Sequence, residues 1–306
     1  MKTALFDAHC DTAFELFRKG ERLKQNSGHI DLQRVGEYVH YAQIFAFCSL
    51  SGLKNLPWTA EELLQKPLTY LRKQVAENLA SIAFAASAAD VLRLWAENRC
   101  AALLSVEGAE VIGCDPQWLP WLREQGFVMT TLTWNADNAL AGWHQSLQGL
   151  TAQGRDFVSE AQSLGLLIDV SHLSEAAFWD LIRFTSAPIV ASHSNCRSIC
   201  DHSRNLTDDQ LRAIGETGGA VGLNLYPPFL GEQGGFDLLR RHLEHMLRLC
   251  GERHVMLGGD LDGCDTLVSG FRGVDSYASF YEYLLGCGYA PALLEDLFYH
   301  NLLRLL

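Results

Sequence analysis

The stretch GLLIDVSHLSEAAFWDLIRFTSAPIVASH, residues 165–193, decides the fold class. An apolar run at 165–172 is followed by apolar residues at helical spacing over 173–186, then by a second short apolar run at 187–193. Strand, helix and strand in immediate succession imply two parallel strands joined by a right-handed crossover. Each of these strands closes on an imidazole, His172 in the first and His193 in the second.

Outward from this unit the pattern repeats. Short β-rich runs stand at ALFDAH (4–9), AQIFAFC (42–48), CAALLSVE (100–107), VMTTLTW (128–134), AVGLNLY (220–226) and HVMLGGD (254–260), which with the two above makes eight. Amphipathic stretches separate them. The longest, TAEELLQKPLTYLRKQVAENLASIAFAA (59–86), reads as helical, and NLTDDQLRAIGETGG (205–219) adds a helix with Thr207 as its cap and glycine as its stop. Eight strand–helix units predict an α/β fold of the (β/α)₈ TIM-barrel type. No strand is followed by a glycine-rich dinucleotide or phosphate loop. No linker or low-complexity run divides residues 1–306, so one domain is expected.

Composition narrows the function. With 306 residues and 48% hydrophobic content the chain can bury a large core. A formal net charge of -12 argues against nucleic acid or an anionic membrane surface as partner and leaves a small-molecule substrate. Nine cysteines, an odd number scattered through apolar segments, read as buried thiols of a cytoplasmic protein rather than a disulfide framework. No signal peptide is visible, and the most apolar helical stretch, NLASIAFAASAADVLRLWA (78–96), is interrupted by Asp90 and Arg93, so no membrane span is expected.

In a barrel of this kind the active site lies at the C-terminal ends of the strands. In FDAHCD (6–11) the period of two puts His9 and Asp11 on one face and Cys10 on the other. Glu107 ends the third strand, His172 the fifth, His193 the sixth and Asp260 the eighth. A single strand-end His or Asp is ordinarily a turn residue. Six on one rim point to metal. Three imidazoles and two carboxylates exceed what one tetrahedral zinc uses, and they suit two metal ions bridged by Glu107 and a solvent molecule.

The segments DAHCD (7–11), SVEGAE (105–110), GLLIDVSHLSEAAFWDLI (165–182), APIVASHSNCRSICDHSRNLTDDQLRAI (187–214), GAVGLNLYPPFL (219–230) and HVMLGGDLDG (254–263) resemble the renal (membrane) dipeptidase family of zinc peptidases. The resemblance implies an amidohydrolase-like barrel that hydrolyses dipeptides, often with a D-residue on the C-terminal side. It implies one zinc on His9, Asp11 and Glu107, a second on Glu107, His172 and His193, and attack by a hydroxide bridging the two. It makes Asp260 the proton carrier and Arg204 the anchor of the substrate carboxylate. It places Asn224 and Tyr226 in the substrate pocket, and it suggests a homodimer.

One position departs from the pattern. Many members of that family carry a His after LT on the fourth strand; here TTLTWNADNAL (130–140) has Trp134, expected to fill that corner of the pocket. His144 and His202 read as loop side chains, Asp169 as structural, and Asp262 as the unchosen neighbour of Asp260. The alternatives are another amidohydrolase, such as an N-acyl-D-amino-acid deacylase, or a silent barrel that binds without turnover.

Overall fold

The computed structural model describes residues 3–231 and 234–306. Nine strands, all parallel, run β1 Ala4–Cys10, β2 His40–Cys48, β3 Ile82–Phe84, β4 Cys100–Glu107, β5 Phe127–Thr131, β6 Leu167–Asp169, β7 Ile189–Ala191, β8 Ala220–Leu223 and β9 Val255–Leu257. Eight of them close into a barrel in the order β2-β1-β9-β8-β7-β6-β5-β4, and β4 pairs back onto β2 from Ala42↔Ala101 to Cys48↔Glu107. The helices include α1 Thr12–Lys19, α2 Ala60–Ala76, α3 Ala88–Ala96, α4 Leu119–Glu124, α5 Ala152–Ser163, α6 Glu175–Phe184, α7 Asp208–Glu216, α8 Pro227–Leu230, α9 Gly235–Cys250, α10 Ser276–Gly286, α11 Pro291–Glu295 and α12 Asn301–Leu303.

Period-two alternation sorts the strand residues into two apolar layers. Phe6, Ala8, Ala42, Ile44, Ala101, Leu103, Val190, Ala220 and Met256 form the inner cluster. Leu5, Phe45, Leu104, Ile168, Ile189, Val221 and Leu257 pack outward against the helices. The alanines make room inside for Phe6 and Met256, so the barrel is a filled core. Burying one such side chain is worth about 1.5–3 kcal/mol.

The ninth strand corrects the reading of residues 59–86 as one helix. The helix stops at Ala76, and Ile82–Phe84 instead lies along Cys100–Ala102 of β4. That side of β4 is otherwise unpaired there, because β5 joins it only from Leu104 onward. An open edge with a β-branched and an aromatic residue in reach outweighs helical spacing. The 78–96 stretch is likewise divided, its second half forming α3 behind the Ser87 cap.

The strands are also shorter than their apolar runs. His172, His193, Asn224, Tyr226 and Asp260 all lie beyond the last paired residue of their strands. His172 (φ 70°), Asp260 (φ 56°) and Asp262 (φ 68°) adopt the left-handed conformation, which turns the chain sharply at the mouth.

Candidate active site

His9 owes its direction to a β-bulge. Asp7 pairs with Gln43 and Cys10 with Phe45, so three steps along β1 match two along β2. The Asp7 carboxylate holds this irregularity: Oδ1 accepts from the His9 amide (2.9 Å), and Oδ2 accepts from the Gly259 amide (3.0 Å) and the Tyr277 hydroxyl (2.6 Å). Asp7 therefore faces α10, while His9, two residues on, faces the barrel mouth. Strict alternation would have put both on one face.

Glu107 stands at the centre of the mouth. Its Oε1 is 2.9 Å from His172 Nε2 and 3.5 Å from His193 Nε2, and its Oε2 is 3.6 Å from His9 Nε2. His9 Nε2 is in turn 3.8 Å from both Asp11 Oδ2 and Asp260 Oδ1. The six rim residues predicted from sequence thus converge on one point. His9, Glu107 and His193 form one set of donor atoms close enough to share an ion, and His9, Asp11 and Asp260 form another.

Tautomers show what this cluster wants. His172 Nδ1 lies 3.0 Å from Asn135 Oδ1, which can only accept, so the ring proton sits on Nδ1. His193 Nδ1 lies 2.7 Å from Ser192 Oγ, whose own proton goes to Asp169. Both Nε2 atoms therefore present bare lone pairs, 3.1 Å apart and facing a carboxylate oxygen. Three electron-rich groups in that arrangement repel one another unless a cation lies between them. His9 Nε2, Asp11 Oδ1 and Glu107 Oε2 are buried without any hydrogen-bond partner. The donor set fits divalent metal, and its partners hold each imidazole in the tautomer a ligand needs.

The charges agree. Burial opposes charge on His9, but Glu107, Asp11 and Asp260 outweigh it and raise its pKa to about 10. Burial pushes Glu107 up to about 8, with His9 opposing and Asp11 and Asp260 adding. Burial likewise raises Asp260 to about 6. His172 and His193 are driven well below the ordinary value by burial, with Arg204 and His9 adding. Of the three imidazoles only His9 holds a proton readily, and a cation would displace it.

Above the cluster opens a cavity of about 600 Å³. Its lining carries four acids, Asp11, Asp260, Asp265 and Glu15. The lining also carries Arg204, His144, His202 and Phe229. Arg204 is 5% exposed, its guanidinium lies over the Phe229 ring at 5.5 Å, and its Nε and Nη2 have no partner. Trp134 lines the cavity with its ring 6.1 Å from that of His172. Tyr226 lines it as well.

Three sequence readings change here. Asn224 does not reach the cavity wall; it is fully buried, and its Nδ2 donates to Asp260 Oδ2 at 3.4 Å. His144 and His202, expected as plain loop residues, both line the cavity. The choice between the two acids of GDLDG is now physical. Asp262 is taken up by the His29 amide (2.6 Å) and the Thr12 hydroxyl (2.6 Å), whereas Asp260 faces His9. Asp169 accepts from the amides of Ser171 and Ser192, each at 2.9 Å, and supports His193 through Ser192. Asn135, Ser192 and Asp7 were missed, since nothing in sequence spacing ties them to a ligand.

The segment that delivers Arg204 is pinned from below. His242 of α9 accepts from the Cys196 amide (3.1 Å) at Nδ1 and lies 2.9 Å from Leu230 O at Nε2. Only a neutral ring can do both. Burial lowers its pKa to about 4, so its contribution is complete above the unfolded value near 6.5 and disappears as pH falls toward 4. That contribution is on the order of 3 kcal/mol. Denaturant unfolding of the parent and of His242→Gln at about pH 7.5 and about pH 5 should show a smaller acid loss in the variant. Equal losses would remove His242 from the account.

A closed parallel barrel whose C-terminal mouth gathers imidazoles and carboxylates around an open cavity is the architecture of metal-dependent hydrolases. The sequence profile of the membrane dipeptidases, peptidase family M19, matches residues 1–306, and the chain belongs to that family. It is a hydrolase acting on peptide bonds, a dipeptidase of the M19 metallopeptidases. An uncharacterized protein in the pqqA 5′ region of Klebsiella pneumoniae is 32% identical over 266 residues, 82% of this chain and 98% of its own. The crystal structure of dipeptidase AC, an M19 metallopeptidase, superposes with a TM-score of 0.90 at 29% identity, covering 100% of this chain and 98% of that one. A metallopeptidase from Rhodobacter sphaeroides, solved with a phosphinate mimic of the dipeptide L-Ala-D-Ala, gives a TM-score of 0.90 at 28% identity, covering 100% and 99%. No helix among the described residues is long and apolar enough to cross a membrane.

Proposed function

We propose that this chain is a dinuclear zinc dipeptidase whose substrates carry both a free amine and a free carboxylate. The observation that carries the reading is the lining of the cavity: a buried guanidinium with two unpartnered nitrogens, together with carboxylates. A zwitterionic dipeptide complements both kinds of charge; an N-acylated amino acid would lack the amine for the carboxylates.

His9, Asp11, Glu107, His172 and His193 would hold two ions, with Glu107 shared. Zinc bound there would polarise the scissile carbonyl and acidify water. Arg204 receives the substrate carboxylate through Nε and Nη2, a fork that matches its two oxygens. Asp260 takes the proton of the attacking water and delivers it to the departing amine. Its Oδ2 is steadied by Asn224 Nδ2 and Cys264 Sγ, each at 3.4 Å, which leaves Oδ1 toward the reacting centre. The cysteines, free throughout the described residues, suit a cytoplasmic setting.

The test is a panel of L,L- and L,D-dipeptides, their C-terminal amides and N-acetyl-D-amino acids, offered to zinc-loaded enzyme. Free dipeptides should turn over and their amides poorly, with kcat/KM apart by about 10²-fold or more, since a charge-assisted bidentate contact is lost. Arg204→Met should bring acids and amides together. Preference for the N-acetyl compounds would replace the dipeptidase by a deacylase.

A further inference from the structure

The cavity wall holds one more imidazole in a built position. His144 lies in the loop after β5, its ring 6.3 Å from that of His172 and 6.3 Å from that of His202. Its Nδ1 is 2.8 Å from Ser203 Oγ, on the residue next to Arg204. The loop is clipped to the segment that follows His172, through the Trp143↔Leu173 bridge and a bond from the Ser174 amide to Gly142 O at 2.8 Å. At Gly142 a Cβ would stand 2.4 Å from Gln148 O, so this turn closes on itself only with glycine. The fold thus spends a tight, specific loop on placing His144 between the carboxylate anchor and a metal ligand.

The geometry points to His144 as a catalytic hydrogen-bond donor, from Nε2, to the carbonyl oxygen of the scissile bond as that carbon becomes tetrahedral; the inference rests on the dipeptidase reading above. Arg204 already offers two unpartnered nitrogens to a carboxylate, so the imidazole is not needed there. His144 sits on the metal side of that anchor, where the scissile carbonyl must lie if the substrate spans Arg204 and Glu107. Burial, with Arg204 adding, holds the ring neutral, its pKa near 3. The Ser203 hydroxyl can donate to Nδ1, and in that tautomer the ring proton is on Nε2. Trp134 lines the same cavity, with its ring 6.1 Å from that of His172 against 6.3 Å for His144, so a ring at either position borders that ligand.

Five zinc-loaded proteins test this: the parent, His144→Ala, His144→Gln, Trp134→His and the double variant His144→Ala with Trp134→His. For His144→Ala, kcat on the parent's best dipeptide should fall by about 10²-fold, the usual cost of one oxyanion donor. KM and zinc content should stay within about 2-fold, and affinity for a phosphinate dipeptide mimic should fall alongside kcat. His144→Gln, which keeps a donor, should recover part of the loss, and the double variant should recover more than Trp134→His does in the parent background. A merely structural role would not be rescued by an imidazole at another position. The proposal is overturned if His144→Ala keeps kcat within about 3-fold of the parent, or loses zinc rather than turnover. A parent that cleaves no dipeptide overturns the proposed function itself, a result visible before any variant is made.

Discussion

Glu107→Gln is expected to lose zinc from both positions at once, and turnover with it. The two oxygens of Glu107 face different partners, Oε1 toward His172 and His193 and Oε2 toward His9. An amide keeps one acceptor, turns an NH₂ group on whatever sits at the other, and removes the negative charge that lies between His9 on one side and His172 and His193 on the other. Zinc content should drop from about two ions per chain to less than one. Folding offers an independent check. Burial disfavours the charged carboxylate, raising it to about 8, so metal-free Glu107→Gln should melt at or above the metal-free parent. Zinc should raise the melting temperature of the parent but not of the variant, because only a ligand bound by the native state stabilises it. A variant that still binds two ions would falsify the shared-carboxylate arrangement.

Asp260→Asn should separate chemistry from metal binding. Asparagine keeps the size of the side chain, and its oxygen can still accept from Asn224 or Cys264. It cannot shuttle a proton. kcat should fall by at least about 10²-fold while zinc content stays near that of the parent. Both oxygens of Asp262 are engaged, by the His29 amide and the Thr12 hydroxyl. Turnover at the parental rate in Asp260→Asn would move the proton to another carrier, and Asp262→Asn would then be the variant to examine. Loss of zinc in parallel with turnover would make Asp260 a ligand rather than a proton carrier, which the 3.8 Å approach of its Oδ1 to His9 Nε2 makes a real comparison.

The sequence by itself determined the alternation of strand and helix, and with it the parallel barrel. Period-two and 3.6-residue patterns are local, and each strand here carries its own. It also determined which side chains would meet. His9, Asp11, Glu107, His172, His193 and Asp260 each follow an apolar run, and closure of the barrel brings the ends of all such runs to one rim. Arg204 was legible only through the family resemblance, since nothing local marks an arginine in CDHSRN as buried.

Tertiary structure decided what depends on contacts between distant segments. The 82–84 strand exists because β4 offers it an unpaired edge, a fact absent from its own helical-looking pattern. His9 faces inward because Asp7 stabilises a bulge using Gly259 and Tyr277, more than 250 residues along the chain. The bare Nε2 atoms of His172 and His193 are set by Asn135 and by the Ser192–Asp169 pair. Asn224 lies beneath the cavity and His144 on its wall because the loops beyond the strands, and not the strands, set the direction of their side chains. Residue periodicity ends where strand pairing ends. Past that point a side chain's direction follows from whichever neighbours the folded chain supplies, and at this rim the neighbours come from every part of the barrel.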